Sequence, residues 1–326
     1  MNDQHIALSK FSYQIKFALN TYKPHGLSIS KFKNVFIGGL GGSGIGGRLV
    51  KSIFADEFPV PVECVADYTL PKYVDENTLV ILGSYSGNTE ETLAMYEEVK
   101  KRNCTVTILT GGGKILKLAE ADNIHINLLE NGFQPRMALG FSLTFLILTF
   151  AELIGKDVRS QLEEIANTVE DPKVYQEEAT SIFQSIKSKV ANKIIVLTDG
   201  YFEPVGLRFS QQINENAKHE CFQNTIPEMN HNVIESYYGQ LESIFILIDS
   251  NKHPRVSARF DFIRNLLEVE NNKVINIPVE EADIKSVYEI IFMLDWLSLY
   301  IADFRKVDSL NVPNIMSLKE FLESVN

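Results

Sequence analysis

Cysteine is scarce. Three residues in 326, Cys64, Cys104 and Cys221, make an odd number with no CxxC pair. A disulfide framework is therefore excluded, and a reducing compartment is expected. Positive charge is also short: 31 Lys and Arg against 42 Asp and Glu leave a net charge of −11. Nucleic-acid binding needs a basic footprint, which this chain lacks. An anionic small substrate stays open, because a helix N-terminus acts locally against a distant net charge. Long hydrophobic runs are missing as well. Phe141–Phe150 is closed by Glu152, and Ile290–Met293 by Asp295. Neither reaches the roughly 18 apolar residues of a membrane span, so both read as buried helices. Residues 1–19 carry Asp3, Lys10 and Lys16 and hold no unbroken apolar stretch. No signal peptide is expected, and the protein is expected in the cytoplasm.

With 45% apolar and 22% charged residues the chain has a globular profile, and its length suits two domains. Short apolar runs alternate with helical patterns. Asn34–Ile37, Val62–Val65, Thr78–Leu82, Thr105–Leu109 and Ile124–Leu128 read as strands. Arg48–Ala55, Glu90–Arg102 and Lys114–Ala121 read as the helices between them. Such alternation predicts a parallel sheet with crossover helices. Residues 156–190 read as two solvated connecting helices. The pattern then restarts with strands at Asn192–Leu197, Glu242–Ile248 and Val274–Ile277 and helices from about Val205 to His219, at Ser286–Asp303 and at Ile315–Val325. The expected division is residues 1–155 and 156–326, two α/β halves in series with a weak internal duplication.

Two turns carry the chemistry. Residues 38–47 read GGLGGSGIGG directly after the first strand. Glycines let backbone amides approach a ligand, and a following helix turns its free N–H groups toward it, so an anion site is implied. The run fits GxGxxG twice, as Gly39, Gly41, Gly44 and as Gly42, Gly44, Gly47, and Asp67 lies at the spacing of a ribose-binding acid. A dinucleotide fold therefore competes on this loop alone. The P-loop pattern GxxxxGK[ST] is absent, which argues against an ATPase. After the third strand comes Ser84-Tyr85-Ser86-Gly87-Asn88-Thr89-Glu90-Glu91-Thr92. A capping box would use one of these hydroxyls, not three. Hydroxyls crowded at a helix N-terminus suit a phosphate. Two such turns on neighbouring parallel strands point to one crevice and a phosphorylated small molecule.

Residues 38–47 and 84–92 together resemble the sugar isomerase (SIS) domain family, for which SxSGNTxET after a strand is quite specific. Nearly the whole chain resembles the two-SIS-domain bifunctional phosphoglucose/phosphomannose isomerases. The resemblance implies two tandem doubly wound α/β domains, each a parallel sheet flanked by helices. It implies aldose–ketose isomerisation of glucose 6-phosphate, and also mannose 6-phosphate, to fructose 6-phosphate, in glycolysis and gluconeogenesis. By resemblance Ser84, Ser86 and Thr89 hold the sugar phosphate, with Gly42 and Ser43 lining the same pocket. Glu215 in Asn214–Lys218 matches the proton-transferring base. His231 in Pro227–Asn232 matches the ring-opening histidine, Lys319 the lysine that assists it, and Arg136 the arginine that faces the enediolate. In that family the histidine comes from the neighbouring subunit, which implies a homodimer.

The chemistry agrees with those residue types. A carboxylate suits proton transfer between C1 and C2, a histidine suits ring opening, and a cation stabilises the enediolate. No metal and no cofactor is required. Glu215, His219 and His231 form a weak metal set, since ExxxH lacks a further histidine or cysteine. Two departures stand out. Thr110-Gly111-Gly112-Gly113 has glycine where a serine is expected, and no threonine aligns within Asp308–Pro313, where acceptance of mannose phosphate would be decided. The rival readings are a non-catalytic phosphosugar sensor, another SIS isomerase and a nicotinamide dehydrogenase. The last leaves the SYSGNTEET turn unexplained.

Overall fold

The alternation of strand and helix builds two parallel sheets in a structure, a computed structural model, that describes residues 3–238, 242–268 and 271–325. The chain enters through helix α1 (Asp3–Ser9). The first unit, Ser9–Asp171, continues with helix α2 (Phe11–Thr21), strand β1 (Asn34–Gly39), helix α3 (Gly41–Ile53) and strands β2 (Val62–Val65) and β3 (Thr78–Ser84). Helix α4 (Glu90–Lys101), strand β4 (Thr105–Thr110), helix α5 (Gly113–Ala121), strand β5 (His125–Leu128), helix α6 (Leu139–Leu153) and helix α7 (Arg159–Thr168) complete it.

The strands run parallel in the order β2-β1-β3-β4-β5. From β1 the chain goes first to one side, to β2, and then crosses to β3 on the other. The order reverses between β1 and β3, so a crevice opens at their carboxyl ends, where the two glycine- and hydroxyl-bearing turns lie. One sheet face packs Phe36, Val80, Leu82 and Ile108 on Met95, Tyr96 and Val99 of α4 and on Ile115 of α5. Helix α6 packs against α2 and α3, and fourteen of its fifteen residues are buried, as expected of a helix apolar on all sides.

The second unit is Pro172–Asn326 together with Met1–Leu8. It comprises helix α8 (Lys173–Ile186), strand β6 (Lys193–Thr198), helix α9 (Glu203–Ala217), strands β7 (Cys221–Thr225) and β8 (Ser243–Ile248), helix α10 (Pro254–Leu267), strand β9 (Lys273–Ile277), helix α11 (Ile284–Arg305) and helix α12 (Pro313–Ser324). Its sheet is parallel in the order β7-β6-β8-β9. The long α11 packs on both α8 and α9. It starts with a capping box in which the Asp283 carboxylate accepts from Ser286 N at 2.8 Å. Among the described residues no helix is long and apolar enough to cross a membrane.

Four features differ from the sequence expectation. The compact units divide at Asp171–Pro172, not after residue 155. Helix α7, expected among solvated connectors, buries Leu162, Ile165 and Ala166 and packs against α2, where Ser12 Oγ donates to Ala166 O at 2.7 Å. Residues 3–8 join the second unit, with His5 Nε2 3.0 Å from the Asp303 carboxylate. Strand β7 and helix α10 have no counterpart in the sequence reading. β7 is a sheet edge with Phe222 exposed, and α10 exposes Phe262, so neither shows a clean hydrophobic period.

Candidate active site

The glycine-rich segment is mostly helix, not loop. Helix α3 begins at Gly41, with Leu40 as an N-cap that offers no side-chain bond. The reason is packing. A Cβ on Gly42 would sit 2.8 Å from the Pro135 carbonyl and 3.1 Å from Arg136 N. The bare first turn of α3 therefore lies directly against the short 3-10 turn Pro135–Met137, and this contact sets Arg136 beside it. Arg136 is only 5% exposed, whereas Gly42 and Ser43 are half-buried.

Ser43 joins the two turns: its Oγ accepts from Tyr85 N at 3.1 Å. Ser84, at the carboxyl end of β3, is buried; its Oγ lies 2.8 Å from Thr89 Oγ1 and accepts from Gly87 N at 3.1 Å. Ser86 is exposed at the rim and accepts from Asn88 N at 3.3 Å. Thr89 is the N-cap residue of α4, yet its side chain makes no capping bond. Its hydroxyl faces Ser84 instead, and the amino end of α4 is left without a side-chain cap. Uncapped first-turn amides together with a hydroxyl pair are what a phosphate oxygen requires.

Gly87 shapes this turn. Its φ of +67° is left-handed, and an added Cβ would collide with the Gly112 carbonyl. The turn is also tied to its neighbour: Gly111 N donates to Tyr85 O and Ile115 N to Gly87 O, both at 3.0 Å. The triple glycine thus docks the turn after β3, and Thr110 Oγ1, which donates to Gly112 O at 2.9 Å, supplies a hydroxyl at the triple-glycine turn. Replacing Gly87 with alanine should weaken fructose 6-phosphate binding about tenfold, since a left-handed alanine costs about 1–2 kcal/mol before the clash is counted. Calorimetry would measure it, and an unchanged affinity would remove this turn from the site.

Sequence reasoning did not single out Tyr85. Its hydroxyl donates to Glu130 O at 2.8 Å and accepts from Phe133 N at 3.0 Å. It thereby ties the turn after β3 to the segment leading to Arg136. Burial raises the Tyr85 phenol above its ordinary range. Nothing in the local pattern separates this tyrosine from an ordinary turn residue.

The second unit carries the other three candidates on separate elements. Glu215 stands half-buried in the last turn of α9. His231 is exposed at the end of the 3-10 turn Glu228–His231. Lys319 is exposed on α12, a helix with no buried residue. Two buried polar contacts lock α9 onto α11. Arg208 meets Asp295 at 2.5 Å, and Asn216 Nδ2 donates to Ser298 Oγ at 2.9 Å. Burial pushes the Asp295 carboxyl up, while the Arg208 guanidinium pulls it back. His219 has its ring nitrogen 2.7 Å from Asn192 O, engaged with the backbone beside β6. Thus the structure sets Gly42 against the turn that holds Arg136 and ties Ser43 to the turn that holds Ser84, Ser86 and Thr89.

A parallel sheet with a hydroxyl-rich turn at its switch point defines a class, the SIS domains. The SIS domain family matches residues 28–144, and the family described as bacterial phospho-glucose isomerase C-terminal SIS domain matches residues 175–322. A bifunctional phosphoglucose/phosphomannose isomerase from Caldicellulosiruptor bescii is 34% identical over 306 residues, 89% of this chain and 90% of that protein. A D-glucosamine-6-phosphate 4-epimerase from Sulfolobus acidocaldarius is 31% identical but aligns over 68% of this chain and 70% of its own. A glucosamine-6-phosphate deaminase from Thermotoga maritima superimposes with a TM-score of 0.75 over 94% of this chain and 96% of its own, at 14% identity. At that identity the likeness shows the fold alone. The chain belongs to the family of bifunctional phosphoglucose/phosphomannose isomerases.

Proposed function

We propose that this chain interconverts fructose 6-phosphate with glucose 6-phosphate and mannose 6-phosphate. The observation that carries the reading is the pair of turns after β1 and β3, joined by Ser43 and presenting Ser84, Ser86 and Thr89 at an uncapped helix end. These groups suit the phosphate. Glu215 moves the proton between C1 and C2 through a cis-enediolate, and His231 with Lys319 opens the ring. Arg136, a permanent cation, meets the enediolate charge, so the reaction needs no metal and no cofactor. The enzyme works as a cytoplasmic homodimer whose His231 serves the neighbouring subunit, in glycolysis and gluconeogenesis.

The test incubates the protein with fructose 6-phosphate in the presence of EDTA and quantifies both aldose phosphates separately. Formation of both is the expected result. Glucose 6-phosphate alone would make it a one-epimer enzyme and direct attention to Asp308–Pro313. Tight binding without turnover would favour a phosphosugar sensor. Turnover of glucosamine 6-phosphate alone would favour the epimerase relative.

A further inference from the structure

Lys218 directly follows the helix that carries Glu215. It occupies a left-handed conformation, φ 50° and ψ 45°, at the carboxyl end of α9. Glycine, or failing that asparagine, is the residue such a position favours. What lysine adds is an ammonium group with three donors. Nζ donates to Glu215 O at 2.6 Å, to Asp308 O at 2.7 Å and to Asn311 O at 2.6 Å. A helix cap needs only the first of these. The other two acceptors lie 90 and 93 residues away in sequence and belong to the segment that leads into α12.

That segment is already closed on itself. The Asp308 carboxylate accepts from Leu310 N at 2.8 Å and from the Asn311 side chain. Arg305 supports the same corner, its Nε donating to Ala217 O at 3.0 Å. Pro313 then starts α12, and Lys319 stands on it. Nothing on α12 itself is buried, so its root carries the restraint.

We propose that Lys218 is a positioning residue: its ammonium locks the Glu215 end of α9 to the root of the helix that bears Lys319. The consequence for catalysis rests on the isomerase reading above, whereas the clamp itself does not. The protein then exchanges backbone comfort at one residue for a fixed frame around its base.

The test is Lys218→Gly, which suits the left-handed backbone and removes the side chain with its ammonium, beside Lys218→Arg, which restores donors. In Lys218→Gly, kcat should fall at least tenfold with KM within about threefold, since small misplacements of reacting groups cost that much and more. Lys218→Arg should recover part of the loss. Amide hydrogen exchange over residues 308–316 should accelerate in the glycine variant, with the sheet strands unaffected. If Lys218→Gly does not fold, Lys218→Asn, also tolerant of this conformation, is read the same way. Unchanged exchange at 308–316 overturns the clamp whatever the activity. Faster exchange with unchanged kcat overturns the link to catalysis. A wild-type protein without isomerase activity would refute the functional reading, while exchange still decides the clamp.

Discussion

Replacing Glu215 with glutamine should lower turnover of fructose 6-phosphate by about 10²–10⁴-fold, the range a general base supplies. The substitution keeps the size of the side chain and removes the capacity to accept a proton. Binding should change little, because the groups proposed for the phosphate are Ser84, Ser86 and Thr89. Calorimetry with fructose 6-phosphate separates the two effects: affinity retained and turnover lost is the expected pair. Near-normal turnover would mean that another group moves the proton. The same variant tests the subunit arrangement. Mixed with His231→Ala subunits, it should recover about a quarter of wild-type activity, because random exchange makes half the dimers hybrid, each with one intact site. No recovery would place His231 in the same subunit as the Glu215 it serves.

Removing Asp295 should cost the second unit about 3–5 kcal/mol, the loss typical when one partner of a buried ion pair is taken away. The carboxylate is 2% exposed and the Arg208 guanidinium 4%, with 2.5 Å between them. Asp295→Ala leaves that guanidinium buried without the carboxylate it faces. The double change Arg208→Met with Asp295→Leu removes both charges and keeps most of the volume, so it should cost far less. Urea unfolding of the wild type and the two variants gives the comparison. A single variant as stable as the double one would show that water or another group meets Arg208. The pair also bears on Glu215, which is seven residues beyond Arg208 on α9. Two turns of helix return nearly to the same face, so the contact that fixes the rotation of α9 on α11 also sets the direction of Glu215.

Much of this was legible in the residues. Runs such as Thr78–Leu82 ending in glycine declare buried parallel strands, because only a strand covered on both faces tolerates unbroken apolar sequence. Ser84 through Thr89 marks a candidate anion turn, because three hydroxyls exceed what capping needs. Other features were misread for equally physical reasons. The glycines of 38–47 look like a loop, since glycine disfavours helix. Here helix α3 begins at Gly41, and the glycine at position 42 answers to the Pro135 carbonyl, which comes too close to allow a side chain. Helix α7 looks solvated by composition, yet its few apolar residues are all buried and the helix packs on α2.

The sequence by itself determined the class of fold and the family, and it marked the two glycine- and hydroxyl-bearing turns, because periodicity and turn chemistry act over a few residues. The tertiary structure bore out the expectation that the two turns end neighbouring strands, by pairing β1 with β3, and it alone decided that Arg136 is set against α3. Only it showed the carbonyls that receive the Lys218 ammonium. Those facts depend on strand order and on close approach between segments tens of residues apart, and neither leaves a local trace in the chain.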